Sequence, residues 1–225
     1  MKAQAKLPEL LKLRPDVAVL PVCTAPEIAA ARSVYDAVSS HAWIGQHSIK
    51  GLAVLTFGAY TLEQSEPTGI ATGKFALPVH VRGPVSFNLL ALWTQGIGGL
   101  VRFVRNAEAA LHDHEQFVRA GPAVVAGDFN SNSVWDGDTK GGHTRLVQRL
   151  RELGLESAYH AHFEEPHGAE SRPTYFHRRA ADERFHLDYV FVPKEWAAGC
   201  RVEVGEPEPW LRFSDHMPVV VSAPA

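Results

Sequence analysis

Cysteine is scarce: Cys23 and Cys200 are the only two in 225 residues. They lie far apart and form neither a CxxC motif nor a framework, which excludes a disulfide-built secreted scaffold and points to a reduced setting. No apolar run approaches the roughly 18 residues that span a bilayer. The opening Met1-Lys2-Ala3-Gln4-Ala5-Lys6 runs into a charged amphipathic stretch without the apolar region of a signal peptide. The expectation is a cytoplasmic chain with no membrane partner. An excess of one charge is also lacking: 22 Lys and Arg against 25 Asp and Glu leave a formal net charge of −3. A global basic field that grips duplex nucleic acid is therefore excluded, and any such grip is local. Repeats, low-complexity tracts and long linkers are missing too, so one domain over residues 1–225 is expected.

Several familiar chemistries are absent as well. No Gly-x-Ser-x-Gly elbow supports a serine hydrolase. Gly69 to Lys74 ends in Gly-Lys but lacks the glycine spacing and the Ser/Thr of a P-loop. Gly96-Ile97-Gly98-Gly99 reads as a connecting loop. The chain has 12 histidines, including His112/His114 and His160/His162, yet no HExxH or Cys-His finger spacing. Two histidines two apart on a helix diverge, so no zinc site is expected.

What is present is an ordinary globular composition, 45% hydrophobic and 21% charged, enough for a sizeable core. Leu7, Leu10, Leu11 and Leu13 predict a first helix closed by Arg14-Pro15, and Asp16 to Val22 a buried strand. Pro26 to Val38 is ambiguous, with a helix preferred. Strands are predicted around Trp43-Ile44, at Gly51 to Phe57, at Phe75 to Val81 and at Val85 to Trp93. Val101 to Arg119 and Thr144 to Leu153 read as amphipathic helices. Ala123 to Ala126, Leu187 to Val192, Cys200 to Val204 and Pro218 to Ser222 read as further strands. Many strands with interspersed helices suit an α/β sandwich of two sheets packed face to face with helices outside.

Polar residues cluster where some of these strands meet loops. Asp128 and Asn130, two apart in Gly-Asp-Phe-Asn-Ser, share one side of an extended backbone. A carboxylate there can orient or deprotonate water, and an amide can donate to charge developing on phosphorus, although an Asp-Asn turn after a strand is the common alternative. Asp188 lies inside the apolar run Leu187-Asp188-Tyr189-Val190-Phe191-Val192, where a carboxylate is rarely buried without a partner. His216 is the partner expected, with an edge position facing water as the alternative. Asp215-His216 precedes the strand Val219 to Val221 and offers a cation ligand beside an acid/base imidazole. Arg172, Arg178, Arg179 and Arg184 precede Asp188 either as a solvated loop or as a phosphate-steering patch.

Gly-Asp-Phe-Asn, Leu-Asp-Tyr and Ser-Asp-His-x-Pro occur in this order, 60 residues apart (128 to 188) and then 27 (188 to 215). The set resembles the signature of the endonuclease/exonuclease/phosphatase superfamily of metal-dependent phosphoesterases, which includes apurinic endonucleases and deoxyribonucleases. Arg14-Pro15-Asp16-Val17-Ala18-Val19-Leu20 looks like that family's second-strand motif. Leu153-Gly154-Leu155 and Ser157-Ala158-Tyr159-His160 look like the stretch after the Asp-Asn motif. The resemblance implies a four-layered α/β/β/α sandwich with a site at one rim that uses Mg2+ or Mn2+ to cleave a phosphoester, nucleic acid being one such substrate. By position it implies that Asp128 activates water, that Asn130 supports the pentacovalent state, and that His216, oriented by Asp188, contacts the phosphate. Asp215 and Asp128 would hold the metal, and Trp93, Arg178 and Arg184 would lie on the substrate.

Departures from the pattern are equally legible. The family's first strand carries an Asn that reaches the metal, whereas this chain opens at what resembles the following helix. Val22 stands where the second strand of the family ends in a metal-binding Glu, and Trp93 aligns with a histidine. Fewer carboxylates weaken a hard-cation site. The function expected is a metal-dependent phosphodiesterase or nuclease-like hydrolase of weakened activity. The alternative is a catalytically degenerate homologue acting as a binding or scaffold module.

Overall fold

The computed structural model describes residues 3–46, 50–65, 74–95 and 99–224. The glycine-rich segments at 69–74 and 96–99 therefore fall mostly outside the described residues. The strands are β1 (Val17–Cys23), β2 (Val38–Gln46), β3 (Lys50–Phe57), β4 (Thr61–Gln64), β5 (Lys74–Arg82), β6 (Phe87–Thr94) and β7 (Ala123–Asp128). They continue as β8 (Leu155–Ser157), β9 (Tyr175–Phe176), β10 (Arg184–Phe185), β11 (Asp188–Pro193), β12 (Arg201–Val204) and β13 (Val219–Ser222). The helices are α1 (Ala3–Lys12), α2 (Ala25–Val34), α3 (Leu100–Asp113), α4 (Glu115–Arg119), α5 (Asp136–Thr139), α6 (Gly142–Glu152), α7 (Ala158–Phe163), α8 (Lys194–Ala197) and α9 (Pro207–Trp210).

One sheet has the order β4-β5-β6-β7-β11-β8. Its single parallel pair, β6 with β7, is joined through α3 and α4, because parallel neighbours need a crossover. Period-two alternation splits β6 between two cores. Leu89, Ala91 and Trp93 face the other sheet, whereas Leu90 and Leu92 face α3 and α6. On the far side, Ala53, Leu55 and Phe57 pack with Leu7 of α1 and Ile28 of α2. The layers run helix, sheet, sheet, helix, as the family resemblance implied.

The opposing sheet is in two pieces, β1-β3-β2 and β12-β13. Among the described residues no strand lies between β1 and β13. A cavity of about 1110 Å³ occupies that place, walled by β1 on one side and β13 on the other and floored by Leu89, Val124 and Ala126.

Most predicted elements are found, with three differences in their bounds. The ambiguous segment is the preferred helix, α2, but it ends at Val34 and Val38 opens β2. A capping box fixes its start, Thr24 accepting from the Glu27 amide while the Glu27 side chain accepts from the Thr24 amide. The long helix is interrupted at His114, which adopts φ −113 and ψ 17, so α4 follows as a separate turn. β6 begins at Phe87, not Val85.

Candidate active site

β7 ends at Asp128 and β11 begins at Asp188, and the antiparallel register sets these two carboxylates directly opposite one another. Gly127, one residue earlier, lets β7 lie close against β6. Its φ is +143, and a Cβ there would sit 1.9 Å from the Leu92 carbonyl oxygen of β6. Beyond Asp128 the chain does not stay extended as expected, since Asn130 is left-handed at φ 47. Asparagine tolerates that region because its short side chain bonds locally. The Asn130 amide N–H donates to Asp128 Oδ1 at 2.9 Å and its Nδ2 donates to Asp128 Oδ2 at 2.7 Å. Turn chemistry, not strand alternation, thus joins the two side chains. Asn130 Nδ2 also donates to the Thr94 carbonyl at 3.1 Å, so in this geometry the amide orients Asp128 and is fully used.

His216 is the second half of the site. Its Nδ1 lies 2.8 Å from Asp188 Oδ2, the pairing expected from sequence. The Ser214 hydroxyl accepts from the His216 amide at 3.0 Å, and the Tyr175 ring packs on the imidazole at 4.8 Å between centroids. Thr174, which sequence reading missed, pins both halves. Its buried Oγ1 accepts from the Leu187 and Asp188 amides at 2.9 and 3.0 Å, and its carbonyl accepts from the Met217 amide at 2.7 Å. A threonine in an irregular segment gives no sequence signal of that role.

The charges are strongly coupled. Burial, followed by the facing Asp188 charge, pushes Asp128 up to about 7 against the pull of His216 and Asn130. Burial opposes the imidazolium of His216, but the charge and hydrogen bond of Asp188, with Asp128 and Asp215, outweigh it and raise the group to about 9. Asp128, Asp188 and His216 each offer a ligand atom within 4.8 Å of the others. This concentration of buried negative charge fits a divalent cation. Asp215 stands outside that trio but lines the same cavity.

Two further residues bear on the cavity. Val22, 38% exposed on its wall, sits at a bulge between Pro21 and Cys23 with φ 57, a left-handed conformation unusual for a β-branched residue. Lys6 of α1 also lines the cavity, and its ammonium feels Asp215 and Asp188. Burial nevertheless lowers its pKa, the larger effect. Sequence reading saw Lys6 only as part of a charged leader.

The expected substrate contacts divide. Arg178 is exposed and reaches the cavity wall, while Arg184 is exposed on β10 and is not among the residues lining the cavity. Trp93 is corrected. It pairs with Asp128 in register but is 4% exposed and stacks on Phe75 at 5.0 Å, so it is core, because its position on β6 points between the sheets.

The Endonuclease/Exonuclease/phosphatase family pattern matches residues 57–216. No curated protein matches the chain. Among solved structures the chain is similar to humanized D. rerio TDP2, with TM-score 0.74 and 14% identity over 99% of this chain and 91% of that one. It is also similar to the 3′-5′ exonuclease NExo from Neisseria meningitidis, with TM-score 0.70 and 19% identity over 99% and 96% of the two chains. A third structure, 3′ phosphatase NExo from Neisseria bound to product DNA hairpin, has TM-score 0.70 and 18% identity over 98% and 95%.

Proposed function

The chain belongs to the Endonuclease/Exonuclease/phosphatase family, and on that premise we propose that it is a divalent-metal-dependent phosphoester hydrolase of the phosphodiesterase or nuclease kind. One observation carries the reading: two hydrogen-bonded pairs, Asp128–Asn130 and Asp188–His216, meet at facing strand ends beside a cavity. At neutral pH His216 is an imidazolium with Nδ1–H given to Asp188, which leaves Nε2–H to donate to a phosphate oxygen. Asp128, facing Asp188 at the end of β7, is placed to take a proton from the attacking water. Magnesium or manganese would be held by Asp128 and Asp215 and would supply Lewis-acid polarisation of a phosphoryl oxygen.

The substrate proposed is a phosphodiester or terminal phosphate of nucleic acid, supported by the DNA bound to the similar Neisseria protein. Arg178 and the adjacent exposed Arg179 provide local positive charge. With a net charge of −3, a short or single-stranded target fits better than a long duplex.

A second reading, a phosphate-binding module without turnover, is favoured by Val22 and Lys6 at the cavity. One assay separates the two. Cleavage of a generic phosphodiester and of a labelled single-stranded oligonucleotide is followed with Mg2+ and with Mn2+, beside Asp128→Ala and His216→Ala. The hydrolase reading expects metal-dependent turnover that falls about 10²-fold or more in each variant. Oligonucleotide binding with no turnover above the variants establishes the binding module instead.

A further inference from the structure

Directly behind the catalytic strand ends, four imidazoles surround the buried ring of Tyr189. His143, His160, His167 and His186 have ring centroids 5.1, 6.2, 6.2 and 4.9 Å from it. His160 and His167 are themselves 3.5 Å apart, and His143 is 5.5 Å from His167. Glu170 Oε1 lies 3.1 Å from His160 Nε2, with side chains only 3% and 6% exposed. One ligand atom each from His160, His167 and Glu170 lies within 4.8 Å of the other two.

The hydrogen bonding is one-sided. His143 is anchored at Nδ1 by the Ser131 hydroxyl at 3.0 Å, His160 at Nδ1 by the Ser157 hydroxyl at 2.7 Å, and His186 at Nδ1 by the Arg172 carbonyl at 2.9 Å. A carbonyl only accepts, so His186 carries its proton on Nδ1 and presents a lone pair at Nε2. The nitrogens His143 Nε2, His186 Nε2 and both nitrogens of His167 are buried and have no partner. Each such atom costs about 1–3 kcal/mol if left unmet, and four lie on residues of one cluster. His143 is fixed through Nδ1 by a protein oxygen with Nε2 free, the way proteins present histidine to metal. His160 Nε2 already meets Glu170, and His167 is fixed at neither nitrogen.

We propose that His160, His167 and Glu170, with His143 as fourth ligand, form a structural binding site for a zinc-like divalent transition metal. Three imidazole nitrogens and one carboxylate make a four-coordinate set of the kind zinc takes, and nitrogen donors select against magnesium. The ligand atoms of His160, His167 and Glu170 now lie within 4.8 Å of one another, and Glu170 Oε1 is 3.1 Å from His160 Nε2. They adjust to roughly 3.4 Å, the edge of a tetrahedron with bonds of about 2.1 Å. His167 breaks no hydrogen bond when its ring turns to do so. The sequence hid this site because its ligands come from separate segments and match no finger spacing. The ion would fasten the loop around His167 and Glu170 to the chain just beyond Asn130. There Asn132 Nδ2, with two hydrogens to give, lies within hydrogen-bond distance of Glu170 Oε2 at 3.1 Å, the His186 carbonyl at 3.0 Å and the Tyr189 hydroxyl at 3.1 Å. The site is separate from the catalytic cluster and stands whether or not the chain hydrolyses phosphoesters.

The test uses the full chain, stripped with chelator and titrated with Zn2+ and with Co2+, following metal content, melting temperature and the visible absorption of tetrahedral cobalt. With millimolar Mg2+ present to occupy the Asp128 site, one equivalent per chain is expected, raising the melting temperature by about 5 °C or more at 100-fold excess over the dissociation constant. Millimolar Mg2+ does not compete. Binding is lost in His167→Ala and in the near-isosteric Glu170→Gln, which reads the site should the first fail to fold, and is kept in His216→Ala. Absence of a tetrahedral cobalt spectrum overturns the proposal, as does binding that survives Glu170→Gln but disappears in His216→Ala.

Discussion

Val22 and Lys6 both line the cavity beside Asp128 and Asp188, and each makes a prediction of its own. A valine at φ 57 is strained by about 1–2 kcal/mol, while glycine in a strand gives back about 0.5–1 kcal/mol of chain entropy. With its side chain 38% exposed, little burial is lost on truncation. Val22→Gly is therefore expected to stabilise the protein by about 0.5–1 kcal/mol in urea denaturation, where glycine in an ordinary strand destabilises. A loss of stability would mean that the backbone at this bulge is not left-handed in solution. Lys6 adds positive charge to the cavity that also holds Asp215 and Asp188. Lys6→Ala is expected to lower the Mn2+ concentration needed for half-saturation, measured by calorimetry. Unchanged affinity would place the ammonium away from the bound ion. The missing carboxylate at Val22 was readable beforehand, but its backbone conformation and the reach of Lys6 were not. The αL conformation follows from the bulge between Pro21 and Cys23, and the reach of Lys6 follows from the docking of α1 on β1 and α2.

At the scale of elements, the split sheet sets the expectation. β6 and β7 are paired along both edges, whereas among the described residues β1 bonds only β3 and β13 only β12. Amides of β1 and β13 that face the cavity lack the second ladder and lie beside about 1110 Å³ of open space. Hydrogen exchange of these amides is expected to be faster than in β6 and β7, whose opening approaches global unfolding. Equal protection in all four strands would mean that this cavity is closed in solution. The elements that sequence revealed are those whose burial is regular: Val104, Ala107 and Leu111 along α3, Leu146, Val147 and Leu150 along α6, and the alternating β6. β9 and β10 are two residues each and exist only because Tyr175 pairs with Phe185 and Phe176 with Arg184, a tertiary fact with no local period. The break at His114 carries neither Gly nor Pro to announce it. The clustering of Asp128, Asn130, Asp188 and His216 was legible because these residues sit at or near strand ends within local motifs. Trp93 was misread because motif position says nothing about which face of β6 it occupies.

Over the whole molecule, the two buried clusters oppose each other as pH changes. Burial lowers His143 to about 4 and His167 to about 2, and lowers His186 as well. Burial also opposes the charge of Glu170, but hydrogen bonds from His160, the Gly168 backbone and Asn132 bring it down to about 2. Below the ordinary histidine value of 6.5 the unfolded chain binds protons that these imidazoles refuse, so stability rises with pH from about 2 towards 6.5. Asp128 works the other way. Raised from 3.8 to about 7, its contribution is full below 3.8 and is lost by pH 7, which blunts that rise. His216, faced by Asp188, Asp128, Asp215, the Lys6 ammonium and the Tyr175 ring, is raised from 6.5 to about 9. Its contribution is full below 6.5 and disappears as pH climbs to 9. Stability of the metal-free protein is expected to peak near pH 6.5, measured by urea denaturation at constant ionic strength. His167→Phe flattens the acid limb, and His216→Gln flattens the alkaline one. A curve flat from pH 6.5 to 9 in the unsubstituted protein would show that Asp188 does not hold an imidazolium, and the phosphate-binding role of His216 would fall with it.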